Sequence, residues 1–218
     1  MSDVMERIAK VGIAPVVVLD DVKDARPLAK AMAAGGIPIA EVTLRTSAGL
    51  PSIEEIAAMA ENAIPGSSED VLVGAGSVMN LEQCKAALSV GAKFIVSAGF
   101  NPKVVEYCVS NDIAVLPGCV TPTEILMALE LGLDTVKFFP ANVYGGLKAM
   151  KALNGPFPEL KFVPTGGINA ENLAEYLAAP FIRAVGGSWL CSKADIKAGN
   201  FEKIEALCRE AALIASGR

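Results

Sequence analysis

Eight short apolar runs, spaced through the chain at nearly even intervals, constrain the fold of this sequence more than any other feature. They are Ala14–Leu19, Ile39–Leu44, Val71–Gly74, Phe94–Ser97, Ala114–Leu116, Thr135–Phe138, Phe162–Pro164 and Ala184–Gly186. Each is nearly continuous in apolar character rather than alternating, the pattern of parallel strands covered on both faces. The stretches between them carry helix signals. Lys23–Ala34 runs into Gly35-Gly36, and Ser52 with Glu55 has capping-box spacing. Asn80 precedes Leu81–Val90, and Asn101-Pro102 pairs a cap with a first-turn proline. Thr121-Pro122-Thr123-Glu124 joins that proline to a second capping box. Gly146–Leu153 reads as a shorter helix, Asn169 as the start of Ala170–Leu177, and Asn200 as the start of the last helix, through about Ile214. Val4–Val11 forms a helix before the first strand, and Ser192–Lys197 a short extra helical turn.

Strand and helix alternating eight times without a break predict one α/β domain over residues 1–218. The architecture expected is a closed (β/α)8 TIM barrel with an additional N-terminal helix outside it. An open doubly wound sheet would carry a glycine-rich first turn after its first strand. Here that turn is Leu19-Asp20-Asp21, with two acids and no glycine.

The chemistry open to such a barrel is narrowed by what the chain lacks. It contains no histidine, which removes imidazole acid–base catalysis, histidine-bound zinc and the usual serine or cysteine triads. Cys84, Cys108, Cys119, Cys191 and Cys208 are scattered without a C-x-x-C pair, and read as reduced, buried thiols. Cys119, just past a strand end, is the one placed near possible chemistry. No metal site is expected. The net charge of −5 and the absence of a basic stripe argue against nucleic acid. No apolar run is long enough to span a bilayer, and the N-terminus lacks the apolar core of a signal peptide, so a cytoplasmic protein without a membrane partner is expected.

Within these limits Lys137 stands out. It lies inside the apolar run Thr135-Val136-Lys137-Phe138-Phe139-Pro140. A lysine there must reach water, find a counter-charge or lose its proton, and a neutral amine is a nucleophile for carbonyl carbon. In a parallel barrel, functional groups gather at the C-terminal ends of the strands. The second run ends Glu41-Val42-Thr43-Leu44-Arg45-Thr46, and strand alternation puts Glu41, Thr43 and Arg45 on one side. The plain reading of that carboxylate and guanidinium is a solvated ion pair; the functional reading puts both at the barrel mouth. The third run ends Gly74-Ala75-Gly76-Ser77, small residues that let a ligand approach the backbone or simply make a tight turn. Runs seven and eight end Thr165-Gly166-Gly167 and Gly186-Gly187-Ser188. Paired glycines after these two strands, with the N-terminus of a short extra helix, suit a phosphate.

The motifs Glu41-Val42-Thr43-Leu44-Arg45-Thr46, Val73-Gly74-Ala75-Gly76, Val136-Lys137-Phe138-Phe139-Pro140-Ala141, Pro164-Thr165-Gly166-Gly167-Ile168 and Gly186-Gly187-Ser188-Trp189-Leu190 resemble a known family. It is that of the bacterial 2-keto-3-deoxy-6-phosphogluconate (KDPG) and 4-hydroxy-2-oxoglutarate (KHG) aldolases. The resemblance runs from about Ile13 to the last helix. It implies a class I aldolase that works without cofactor or metal. Lys137 would form the Schiff base and Glu41 would move protons through a water. Arg45 and Ser77 would bind the pyruvyl carboxylate, Phe139 would line the pocket, and Thr165 would contact the aldehyde portion. Gly166, Gly167, Gly186, Gly187 and Ser188 would hold the phosphate of a small sugar-acid substrate. The resemblance further implies a homotrimer. Two departures stand out: Ser77 replaces the threonine of many members, and Ser97-Ala98-Gly99 replaces a common Ser-Pro-Gly, which should leave that loop less rigid. Tyr144 takes no role from the family. Two other readings keep the barrel: a related pyruvate aldolase for the galactonate analogue or an unphosphorylated substrate, and a non-catalytic sugar-phosphate-binding protein.

Overall fold

The computed structural model describes residues 2–217. The eight runs become β1 (Ile13–Val17), β2 (Ile39–Thr43), β3 (Leu72–Gly76), β4 (Phe94–Val96), β5 (Ala114–Leu116), β6 (Thr135–Phe138), β7 (Lys161–Pro164) and β8 (Val185–Gly187). Helices α1 (Ser2–Val11), α2 (Ala25–Ala34), α3 (Gly49–Glu61), α4 (Leu81–Ser89), α5 (Pro102–Ser110) and α6 (Pro122–Glu130) precede or separate the first six strands. They are followed by α7 (Gly146–Asn154), α8 (Leu173–Ala178), α9 (Lys193–Lys197) and α10 (Phe201–Ser216).

The fold is α/β, with a curled parallel sheet of six strands in the order β5-β4-β3-β2-β1-β8. Strands β6 and β7 form a second parallel ladder. The expected barrel has eight strands in continuous register, and regular pairing stops short of that at two seams, each for a visible reason. Beyond β5 comes Pro117, which has no N–H to offer a ladder. Contact between β5 and β6 therefore narrows to one bridge, Gly118 to Lys137, in which Lys137 N donates to Pro117 O and Cys119 N to Lys137 O, both at 2.9 Å. At the other seam β7 ends in Pro164, and Thr165 bridges to Gly186.

Side chains sort into two cores by strand alternation. Val17, Val42, Val73, Ile95, Val136 and Val185 pack outward against the helices. Ala14, Ile39, Leu72, Phe94, Ala114, Val163 and Ala184 pack inward on each other. Helix α1 is more than an outer appendage: its Met5 and Ile8 join this inner cluster. They lie three residues apart on one face, so the helix stoppers the end where the strands begin. Arg7 on the same helix fixes the stopper by donating to Asp70 Oδ1 at 2.9 Å and Asp70 O at 2.6 Å.

The caps at Asn80, Asn101 and Thr121 form as expected, the last as a complete capping box with Glu124. Ser52 does not cap α3. That helix starts at Gly49, because Pro51 fits its first turn without losing a hydrogen bond, and Ser52 is buried on its inner face. Asn169 makes a side-chain turn, accepting from Glu171 N and Asn172 N, and regular helix begins only at Leu173. Among the described residues no helix is long and apolar enough to cross a membrane.

Candidate active site

Strand β6 carries Lys137 inward, and strand β2 carries Glu41 toward it from 96 residues away in sequence. Lys137 Nζ donates to Glu41 Oε1 at 3.1 Å, with the two residues only 5% and 3% exposed. The buried lysine has thus found a counter-charge. Such a pair is reactive in one step: moving the shared proton to Glu41 leaves a neutral amine beside a neutral acid, and removes both buried charges together.

The small residues of β3 explain how the carboxylate fits. A methyl at Gly76 would collide with Glu41 Oε1, Cγ and Cδ, and a methyl at Gly74 would drive into the Phe94 ring. The space over these glycines is therefore filled by protein side chains, not left for a ligand to reach the backbone. Arg45, past the end of β2, pairs with Ser77 rather than Glu41: Nε donates to Ser77 Oγ at 2.9 Å. Ser77 sits at φ 57°, a left-handed conformation uncommon outside glycine and concentrated at functional sites. The guanidinium stays exposed, and its remaining donors suit a planar carboxylate.

Phe139 lies beside Lys137, whose Nζ is 5.5 Å from its ring centroid. Thr165 is tied to the end of β6 by its N–H, which donates to Phe138 O at 2.9 Å, and its buried hydroxyl lies over Gly186, where no side chain would fit. Gly166 and Gly167 adopt φ of 100° and 76°, which side chains rarely tolerate. Asn172, unremarked in the sequence, secures this turn by donating Nδ2 to Gly167 O at 2.9 Å. The Thr165–Gly186 bridge sets both glycine loops side by side. Gly186 and Gly187 are buried, and Ser188 is exposed at their edge.

The short helix α9 forms as expected, but its N-terminus already holds an anion. Ser192 Oγ accepts from Asp195 N, and the Asp195 carboxyl is pulled down to about 2 by Lys203, Ser192 and Asn200. The Ser97-Ala98-Gly99 loop is braced without proline: Ser97 Oγ donates to Gly99 O at 2.7 Å, and a methyl on Gly118 would strike the Ala98 carbonyl. Tyr144 is exposed, its ring edge-on to Phe138 at 6.4 Å. All five cysteines are free and buried, and burial pushes the Cys119 thiol up to about 12, so it is no nucleophile near neutral pH. Among the described residues no group of three or more Cys, Asp or Glu could hold a metal ion.

A model of the KDPG and KHG aldolases matches residues 4–207. The chain belongs to the KDPG and KHG aldolase family. Within that family it is 45% identical over 210 residues to the 2-dehydro-3-deoxy-phosphogluconate aldolase of Treponema pallidum, covering 96% of each chain. It is similar to the crystal structure of the KDPG aldolase from Legionella pneumophila, with pyruvate captured at low pH as a covalent carbinolamine. That likeness has a TM-score of 0.88 and 36% identity, over 95% of this chain and 97% of that one. The KDPG aldolase of Zymomonas mobilis, solved with 3-phosphoglycerate, gives a TM-score of 0.84 and 37% identity, over 97% and 96% of the two chains.

Proposed function

We propose that this protein is a class I aldolase that cleaves KDPG to pyruvate and glyceraldehyde 3-phosphate, and 4-hydroxy-2-oxoglutarate to pyruvate and glyoxylate. The observation that carries the reading is the buried Lys137–Glu41 contact at 3.1 Å in a chain of this family. Lys137 passes its proton to Glu41 and attacks C2 of the substrate. Glu41 then gives that proton to the carbinolamine hydroxyl, which leaves as water; a protonated imine remains and Glu41 is again a carboxylate. Glu41, through a water, takes the proton of the C4 hydroxyl; the C3–C4 bond breaks, its electrons flow into the imine as an enamine, and the aldehyde leaves. The proton returns to C3, and water hydrolyses the imine to release pyruvate. The iminium is the electron sink, so the reaction needs no metal.

Arg45 and Ser77 hold the carboxylate end, Phe139 walls the pocket beside the imine, and Thr165 meets the aldehyde portion. The backbone of Gly166, Gly167, Gly186 and Gly187, with Ser188, receives the phosphate. Gripping both charged ends lines C2 up with the lysine, and such positioning can supply several kcal/mol of the barrier, up to ~7–11. On this reading the chain is one domain, and the Gly118–Lys137 and Thr165–Gly186 bridges close the curled sheet into an eight-stranded barrel. The family resemblance extends the proposal to a homotrimer in the cytoplasm; sedimentation at three times the chain mass is the expected result for the assembly.

With EDTA present, added KDPG releases pyruvate, followed by coupled reduction with lactate dehydrogenase. No release, or activity lost on chelation and restored by zinc or magnesium, overturns the reading. Faster turnover of the galactonate analogue would move the substrate to that epimer while leaving the chemistry in place.

The phosphate loops carry their own test. Replacing Gly166 or Gly167 strains the backbone, so exposed Ser188 is the cleaner probe. Ser188→Glu sets a carboxylate against the phosphate, and like charges brought together cost several kcal/mol. KM for KDPG should rise about tenfold or more, each ~1.4 kcal/mol being a factor of ten. KM for 4-hydroxy-2-oxoglutarate, which has no phosphate, should change far less. Equal rises for both substrates would mean that these loops only shape the fold.

A further inference from the structure

We propose that Thr43 is a positioning residue for proton transfer, its hydroxyl holding the water that moves between Glu41 and the substrate. The inference rests on the aldolase reading above.

Thr43 is fully buried, with 0% exposure, and its Oγ1 meets no hydrogen-bond partner among the described residues. A buried hydroxyl left unpaired is costly, and such groups in a finished fold usually have a partner that comes with function or with ordered water. Strand alternation fixes where it points. Ile39 lies in the inner cluster and Glu41 reaches Lys137, so Thr43 takes the next inward place, at the last position of β2.

Two further contacts bring the carboxylate to the same level. Thr43 pairs in register with Gly76, and a methyl on Gly76 would collide with the Glu41 carboxylate. Glu41 has therefore leaned up its strand into the room that Gly76 leaves, directly across the ladder from Thr43. Neighbouring strands stand about 4.8 Å apart. One water, bonded at about 2.8 Å on each side, spans such a gap between a hydroxyl and a carboxylate. Lys137 takes Oε1 of Glu41, and Oε2 takes no bond from the described residues, leaving it for that water. A threonine hydroxyl both donates and accepts, so it can orient a water toward a carboxylate whichever way the proton is moving.

The test compares Thr43→Val, which keeps the shape and removes the hydroxyl, with Thr43→Ser, which keeps the hydroxyl. Three quantities are read: kcat and KM for KDPG cleavage, exchange of pyruvate methyl protons with D2O by NMR, and borohydride trapping of pyruvate. The valine variant should fold, trap pyruvate on Lys137 as the parent does, and keep its KM. Its kcat and methyl exchange should fall about 10- to 100-fold, the scale of a misplaced reacting group. The serine variant should recover to within a few-fold of the parent. Should Thr43→Val fail to fold, Thr43→Ala carries the same expectations. Overturning results are a valine variant as fast as the parent, a serine variant as slow as valine, or a raised KM at unchanged kcat, which would make Thr43 a ligand for substrate. A parent that neither traps pyruvate nor turns over would sink the aldolase reading itself, whereas an active parent indifferent to Thr43→Val sinks only this assignment.

Discussion

Lys137→Arg should abolish turnover and, with it, the trapping of pyruvate by borohydride. The parent, incubated with pyruvate and borohydride, should gain one reduced pyruvyl adduct per chain, and peptide mapping should find it on Lys137. Arginine keeps the positive charge opposite Glu41 but has no amine to give, because the guanidinium stays protonated with a pKa above about 12. Activity should therefore drop to background rather than by a modest factor. Stability should suffer less than from a neutral substitution, since removing one partner of a buried ion pair typically costs ~3–5 kcal/mol. The larger side chain still has to fit a closed site, and overpacking costs ~1–3 kcal/mol. Thermal unfolding thus separates a dead folded enzyme from an unfolded one. Two other lysines serve as controls. Lys161, at the start of β7, donates to Pro180 O at 3.0 Å, and Lys148 is exposed on α7. An adduct on either would mean that the buried lysine of β6 is structural.

What could be read from the sequence divides along physical lines. The strands were legible because parallel strands buried on both faces must be apolar throughout, and Lys137 because a charge inside such a run has few places to go. The left-handed glycines after β7 were legible as a loop free of side chains. Pairing across the sheet was not. Glu41 and Arg45 share a strand face and read as partners, yet Glu41 bonds Lys137 on the far side of the fold while Arg45 bonds Ser77 on the next strand. Neither contact follows from spacing: the first is made by the curl of the sheet, the second by the pairing of β2 with β3. Gly74 and Gly76 announce empty space in a strand but not what fills it: an aromatic ring and a carboxylate. Ser52 misleads because Pro51, one residue earlier, is itself a helix-start signal and wins. Thr43 is placed on the face of Glu41 by alternation but takes no role in the sequence, because threonine at the end of a strand needs no explanation by propensity. Its signal was the inward series Ile39, Glu41, Thr43.

Glu41→Gln tests the other half of the reactive pair. Glutamine has nearly the shape of glutamate and can still accept a bond from Lys137 through its carbonyl oxygen, but it cannot take up a proton. Loss of a general base typically lowers rate about 10²–10⁴-fold, and kcat for KDPG should fall by that order with the protein still folded. An ion pair that only stabilises the fold predicts something different. The exposed pair Arg26–Glu55, at 2.5 Å, is such a contact, and breaking it should change stability by only ~0–1 kcal/mol and leave turnover alone. Gly76→Ala then asks whether the place of the carboxylate matters as much as its chemistry. The added methyl meets the flexible end of Glu41 rather than backbone, so the side chain should move and the strand should hold. Every titratable group is kept, yet kcat should still fall, by ~10²-fold for a displacement on the order of 1 Å. A Glu41→Gln enzyme that folds and turns over within a few-fold of the parent would assign the base to another group. A fully active Gly76→Ala enzyme beside a dead Glu41→Gln would mean that the carboxylate works from a position other than the one it holds against Gly76.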